Sequence, residues 1–562
     1  MPGGYLVVLR KGESMPSNAA IHYLPAGYET KGPKLMGRMA AGEGFLDAWL
    51  RHAGVERLFC YAGERKAAEH FAAQAKAAGA GPVEWIPWAS PGGLAKPGTL
   101  YLPDPSLHAH AWRRRAGDQR AYSLTGITHT TASASAMDMI AELPLAPVQE
   151  WDALICTSRA VKAMVESLLD HQQAYLAERL GARSFTRPQL PVIPLGVDCA
   201  KFAADPATRA AQRAALGIGA DDLAVLFVGR LSFHAKAHPF PMYAALEQAA
   251  RKTGKRLHLI QAGWFANEFI EGAFRDGAKA FCPNVTAHFL DGRKPELRFA
   301  VWQAADIFTS LSDNIQESFG LTPIEAMAAS LPSVVSDWDG YRDTIEHQVH
   351  GFRVPTLAPA PGQGADLADG HAIEIDTYDR YCGYASQFVA VDIPAAAEAY
   401  AALVGDPGLR RSQGAAAQAK ARSEYDWRRI VARYQELWTE LAGQRRKAAE
   451  SAPDKRGVPW PARPDPYAAF AAYPSDTLTP DHRLVRGAYT ADLAAITAHP
   501  LFSFATVKLR LDLCALILRQ VEQGGTTLAA IGDTLGEADR RYLPRQAVWL
   551  AKLGAIAILP PK

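Results

Sequence analysis

Close pairs of cysteines are missing from this chain. The six present, Cys60, Cys156, Cys199, Cys282, Cys382 and Cys514, are scattered, without the spacing that structural zinc or thiol redox chemistry requires. They read as reduced, mostly buried small side chains. Missing too is an excess of either charge. The formal net charge of +2 gives no bulk field for nucleic acid and confines any membrane contact to a local patch. No run approaches the roughly 18 apolar residues of a membrane span. The opening MPGGYLVVLRKGESMP has too short an apolar core, and the wrong charge order, for a signal peptide. A cytoplasmic protein is the expectation, with the inner membrane surface a compatible place. A full GxGxxG is lacking as well: Gly42-x-Gly44 is a fragment that does not support a tightly bound dinucleotide.

What is present exceeds one core. A chain of 562 residues predicts two large domains and a small third. Up to about residue 200, short apolar runs at 20–24, 57–61, 83–88, 99–102, 121–127 and 153–157 alternate with helical patterns such as 43–52 and 65–78. That alternation predicts a parallel sheet wrapped by helices. A second series follows, with runs at 223–228 before Gly229-Arg230, at 257–262 before Gly263, and at 285–290 before Asp291-Gly292-Arg293.

The richest stretch is 306–355. A short strand at 307–309 leads into the polar loop Ser312-Asp313-Asn314, then Gly320-Leu321-Thr322-Pro323 reads as a helix start, with Pro suited to a first turn. Ile324, Met327, Ala328 and Leu331 keep helical spacing until Pro332, and 333–336 reads as the next parallel strand. Strand, loop and helix N-terminus at the carboxyl edge of a sheet make an anion site. Glu317 and Glu325 bracket that helix start. Eight helical residues would span about 12 Å, more than the roughly 5 to 9.5 Å of a glycosidase acid/base pair. The two carboxylates suit opposite parts of one long ligand, such as a nucleotide-sugar with a diphosphate at its centre. Arg230 and Lys236, beyond the end of a neighbouring strand, would clamp that diphosphate and stabilise the charge growing on it as it departs. His234 and His238 are alternative participants.

ESFGLTPIE, with the EAMA helix after it and the SVVSD strand leading to Gly340, resembles the Glu-x7-Glu signature of the retaining, GT-B-fold glycosyltransferases of family four. The resemblance implies an α/β GT-B fold: two Rossmann-like domains facing a cleft, here followed by a small, mainly helical C-terminal domain. It implies that Glu317 lies at the donor sugar and Glu325 at the nucleotide ribose, with the backbone of Ser318, Phe319, Gly320 and Leu321 on sugar or phosphate oxygens. The loops at Gly263 and at Asp291-Gly292 would receive the nucleobase through their backbone, and His129, after the run at 121–127, would lie near an outer hydroxyl of the donor sugar. The family's Arg-x4-Lys-Gly is expanded by one residue here, and Ala237 replaces the Gly. The segment holding Gly32, Gly37, Gly42 and Gly44 stands where the family has a glycine-rich loop beside donor and acceptor; a connection without a ligand is the other reading. VIPLGVDCAKF resembles the interdomain turn, with Gly196 and Asp198 as boundary markers.

The expected organisation is an acceptor domain over 1–200, a donor domain over 201–449 whose last helix crosses back, a Pro-rich linker over 450–480, and a small domain over 481–562. The last carries helical patterns at 506–523, 527–535 and 543–553 and a closing strand at 555–559, an order that faintly resembles a winged helix. Interleaved Asp and Glu favour docking or oligomerisation over nucleic acid there, despite Arg540, Arg541, Arg545 and Lys552. The stretch between Pro355 and Phe388 is irregular and too long for an ordinary connection. It reads as a lid or an oligomer contact, and its Asp366, Asp369, His371, Glu374 and Asp376 lack metal-ligand spacing.

The expected activity is therefore retaining transfer of a sugar from a UDP-, GDP- or ADP-linked donor to a hydroxyl of a carbohydrate or glycolipid, without a metal or other cofactor. A GT-B-shaped epimerase or sugar phosphorylase, and a non-catalytic adaptor working through its C-terminal domain, are the alternatives.

Overall fold

The computed structural model describes residues 16–29, 37–448, 460–489 and 492–561. The chain divides into two compact units, one ending at Trp460 and one beginning at Pro461.

The first unit holds two six-stranded parallel sheets. One is built from β1 (Ala20–His22), β2 (Leu58–Ala62), β3 (Val83–Pro87), β4 (Thr99–Tyr101), β5 (Ser123–Ile127) and β6 (Ala153–Ile155), in the order β3-β2-β1-β4-β5-β6. The other uses β7 (Leu223–Val228), β8 (Leu257–Gly263), β9 (Val285–Asp291), β10 (Ile307–Ser310), β11 (Ser333–Ser336) and β12 (Gly351–Val354), in the order β12-β11-β10-β7-β8-β9. Counted within each sheet, both are the doubly wound 3-2-1-4-5-6 arrangement, so the strand order reverses between β1 and β4 and again between β7 and β10. These are the two Rossmann-like domains of a GT-B fold. Helices cover both faces, so β2, β5, β8, β10 and β11 are buried at every residue, polar ones such as Thr125, Gln261 and Thr309 included.

The glycine-rich segment differs from the loop expected of it. A helix begins at Gly37 and runs to His52, so Gly37, Gly42 and Gly44 are helical, while Gly32 lies outside the described residues. Packing selects two of these glycines: a Cβ on Gly42 would come within 2.2 Å of the Gly27 carbonyl oxygen, and one on Gly44 within 3.0 Å of the Trp427 ring, whereas Gly37 has open space beside it. Close approach of the chain explains Gly42 and Gly44.

Gly196 has a similar reason, since a Cβ there would sit 2.5 Å from Trp427. Val197 exchanges backbone hydrogen bonds with Tyr425 and Trp427 (2.8 and 3.1 Å). From that crossing the helix Trp427–Lys447 buries Ile430, Val431, Tyr434, Leu437, Trp438 and Leu441. Trp438 Nε1 donates to Thr125 Oγ1 (3.2 Å) and Arg445 to Ser123 Oγ (2.9 Å), both in β5.

The stretch after Pro355 is more ordered than its composition predicts. The short strands β13 (Thr356–Leu357) and β14 (Ala390–Val391) pair antiparallel and close a neck, and between them lie the helices Ala365–Ala372 and Tyr378–Gln387. Thr377 caps the second, accepting from Arg380 N (3.4 Å). The Pro-rich stretch lies partly outside the described residues; its later part contains the short helix Pro466–Ala469.

In the second unit, β15 (Arg483–Arg486) pairs antiparallel with both β16 (Thr526–Thr527) and β17 (Ile556–Leu559). The helices Leu511–Glu522, Leu528–Gly532 and Leu543–Lys552 pack on that sheet around Leu484, Ile517, Ile531 and Leu550. The expected first helix thus starts at Leu511, and two strands join the expected closing one. Runs of two to four residues are too short to show a period of two. No helix among the described residues is long and apolar enough to cross a membrane.

Candidate donor-binding site

The second sheet places its polar groups at the carboxyl ends of β7 and β10, on either side of the point where strand order reverses. After β10, Ser312, Asp313 and Asn314 are buried, and each bonds the backbone of the loop that follows β7. Ser312 Oγ donates to Lys236 O (3.2 Å), Asn314 Nδ2 donates to His234 O (2.9 Å), and Asp313 accepts from His238 N (3.3 Å). Loss of water pushes the Asp313 carboxyl up to about 7, against the pull of that backbone N–H. This polar tripeptide fixes the loop that carries the basic side chains.

Lys236 Nζ forms a charge-assisted hydrogen bond with Glu317 Oε2; the two side chains keep only 18% and 10% of their exposure. The extra residue between Arg230 and Lys236 therefore does not carry the lysine away. Tyr341, itself bonded to Ser310 Oγ (2.8 Å), directs its hydroxyl to the same Oε2 (3.4 Å). Both contacts fall on Oε2, which leaves Oε1 to accept from a ligand hydroxyl. Arg230 Nη2 donates to Ala235 O (2.9 Å) and Gln316 Oε1 (3.1 Å). These two bonds hold the guanidinium between the loop after β7 and the loop after β10.

The helix Leu321–Ala328 begins at Gly320, whose φ is +84°. A Cβ there would lie 2.1 Å from the Tyr341 ring, so both the turn and the tyrosine require glycine. Ser318 and Phe319 lead into this turn, Phe319 buried and Leu321 half-buried. Glu325 lies one turn into the helix. Burial pushes its carboxyl up to about 7, opposed by the charges of Arg298 and Lys236.

Gly263 and Gly292 sit at the ends of β8 and beyond β9, where Gly292 N bonds Gly263 O (2.9 Å). A Cβ on Gly263 would meet the Gly229 carbonyl oxygen at 1.9 Å. Asp291 is held by Arg293 through two bonds of 2.9 Å, which pull its carboxyl below the usual range. Its side chain is thus occupied, while the neighbouring backbone forms the edge.

His129 belongs to the other sheet. It lies at the carboxyl end of β5 in the first sheet, held by the Pro103 carbonyl, with Asp104 close by, and burial pushes it down to about 4. A neutral imidazole remains at neutral pH. His238 is a helix cap, accepting from Phe240 N (3.3 Å), and the His234 ring lies 3.3 Å from Ser232 Oγ.

Sequence reasoning missed several groups here. Asp339, at φ +43°, accepts from Ser158 Oγ of the first domain (3.2 Å); burial and the nearby Glu317 raise it to about 8. Thr157 reaches Ser318 O (3.5 Å), and Arg159 binds Asp343 (2.7 Å), so the ends of β6 and β11 meet across the cleft. The Asp before Gly340 was a visible signal for a tight turn, whereas Gln316 and Tyr378 carry no signal in one sequence. Among the described residues, no group of three or more His, Cys, Asp or Glu side chains is arranged to hold a metal ion.

Residues 208–360 match the family model described as glycosyl transferases group 1, so the second sheet and its clamp carry the sequence pattern of that group. Among curated proteins, the chain is 31% identical over 199 residues to the D-inositol 3-phosphate glycosyltransferase of Nocardia farcinica, covering 34% of this chain and 42% of that protein. It is 33% identical over 165 residues to the protein of that name from Saccharomonospora viridis, covering 29% and 37%. The chain thus spans about two fifths of the length of these relatives. Among solved structures, Anabaena Alr3699/HepE in complex with UDP and glucose aligns over 75% of this chain and 100% of its own, at 17% identity and a TM-score of 0.46. Sucrose-phosphate synthase from Thermosynechococcus elongatus aligns over 76% and 100%, at 17% identity and a TM-score of 0.45.

Proposed function

We propose that this protein is a retaining glycosyltransferase that moves a sugar from a nucleoside-diphosphate donor to an acceptor hydroxyl. The observation that carries the reading is the joining of Lys236 to Glu317 beside Arg230 and the Gly320 helix start, all at one strand-order reversal. Arg230 and Lys236 neutralise the diphosphate, and N–H groups of the helix start add to this. Glu317 Oε1 accepts from a hydroxyl of the donor sugar and Glu325 from the ribose, while the glycine edge at Gly263 and Gly292 admits the base closely. His129, kept neutral, offers a hydrogen bond to an outer sugar hydroxyl.

The bond from the anomeric carbon to the diphosphate oxygen breaks, and the new bond to the acceptor oxygen forms on the same face. The acceptor proton passes to the departing phosphate oxygen. Cationic side chains stabilise the leaving charge, so the step draws on no metal. The acceptor enters from the first domain. Polysaccharide or glycolipid assembly at the inner membrane surface is the setting we favour, and the names of the curated relatives add a phosphorylated polyol to the acceptors to be tried.

Thermal-shift and hydrolysis screening against UDP-, GDP- and ADP-sugars tests the reading. One nucleotide class should raise the melting temperature, and R230A should abolish the rise. Product anomers read by NMR should keep the donor's configuration. Conversion of the donor sugar without any acceptor would mark an epimerase instead, and no shift with any donor would refute the assignment.

A further inference from the structure

The segment between β13 and β14 lies on the clamp. Its helix Tyr378–Gln387 packs at Gly383, where a Cβ would stand 3.0 Å from His234 Cβ, so it rests on the loop that carries Arg230 and Lys236. From the first turn of that helix, the Tyr378 hydroxyl donates to Gln316 Oε1 (3.1 Å), the oxygen that also accepts from Arg230 Nη2 (3.1 Å). The same hydroxyl lies 3.2 Å from Thr130 Oγ1, in the first domain beside His129.

The direction of the chain follows from counting protons. Tyr378 spends its single proton on Gln316, and Thr130 Oγ1 already accepts from Ala132 N (3.3 Å), so Thr130 donates to Tyr378. Both lone pairs of the Gln316 carbonyl oxygen are then used, one by the phenol and one by the guanidinium. The amide is fixed with its oxygen toward Arg230, and Gln316 N is held by Asn314 Oδ1 (3.0 Å). Half-burial keeps the phenol protonated, since loss of water raises it.

We propose that Tyr378 is a positioning residue for donor binding: through Gln316 it aims Arg230 at the diphosphate, and through Thr130 it ties that aim to closure of the two sheets. The inference rests on the glycosyltransferase reading above and assigns the 357–387 segment a part in it. Tyr378 acts through Arg230 and takes no part in bond making.

Y378F keeps the ring and removes the hydroxyl. The expected result is a donor KM raised roughly three- to tenfold, the worth of one hydrogen bond, with the free protein still folded and its melting temperature only slightly lowered. Q316A should raise KM similarly, and the Y378F/Q316A pair should cost little more than either change alone, because both break one chain. T130V should reproduce part of the loss, and T130S, which keeps the hydroxyl, should recover donor affinity; this pair also serves if Y378F fails to fold. A wild-type protein stabilised by a nucleotide-sugar, with Y378F and T130V indistinguishable from it or with fully additive costs, overturns the proposal alone. A wild-type protein stabilised by no nucleotide-sugar removes the reading beneath it and the proposal together.

Discussion

The two sheets of the first unit share one winding order and differ where it matters for chemistry. At their amino ends they use the same device, a carboxylate placed just before a strand and held by arginine. In the first, Arg114 grips Asp152 at 2.6 Å through both nitrogens with both side chains fully buried, and Asp152 also accepts from Leu124 N (2.8 Å). In the second, Arg209 and Arg213 hold Asp306 at 2.6 and 3.0 Å, and Asp306 accepts from Ala224 N (2.9 Å). At their carboxyl ends they part. The second sheet gathers two cations, two glutamates and a helix start, whereas the first offers the neutral His129, with Thr130 beside it. Shared topology carries the architecture, and the loops after the strands carry the proposed reaction.

That contrast can be broken by substitution. D152A leaves Arg114 buried without its partner and should cost about 3–5 kcal/mol, read as a lower urea midpoint; a cost below about 1 kcal/mol would mean the amino-end pair is not structural. K236A should lower sugar transfer by about 10²–10³-fold, read from steady-state turnover, while H129A, in the other sheet, should lower it only about tenfold. Equal losses would erase the distinction between the two carboxyl ends. G320A forces a side chain into a positive-φ turn against Tyr341 and should cost about 1–3 kcal/mol, with weaker nucleotide binding by calorimetry.

The last test concerns pH. Asp339 is raised from 3.8 to about 8 in the folded protein, so the folded state binds a proton there that the unfolded state has lost. Its contribution is fully present below pH about 4 and is lost as pH rises through about 8. Unfolding stability measured across that window should fall with rising pH, and D339N should flatten the slope. A steeper slope in D339N would contradict the assignment.

Much of the second domain was legible in the sequence because its signals are local. Gly-Leu-Thr-Pro marks a helix start, Pro332 marks its end, and the two glutamates stand at a fixed separation between them. Lys236 was legible as a candidate by its resemblance alone; its reach to Glu317 despite the shifted spacing follows from the buried tripeptide Ser312-Asp313-Asn314, which sets the loop's path. Gly42 and Gly44 were not legible as packing residues for the opposite reason: glycine answers equally to a loop and to a close helix contact, and their partners Gly27 and Trp427 are not their neighbours in sequence.

The sequence by itself determined the alternation of strands and helices, the parallel sheets and the residue types of the clamp, since each follows from periodicity or from a short run of neighbours. Only the tertiary structure decided which of them meet. Lys236 lies 81 residues from Glu317, Tyr378 62 from Gln316 and 248 from Thr130, and one sequence holds no local record of such pairings. They arise because parallel strands bring distant loops to one edge and burial forces polar side chains to find partners there.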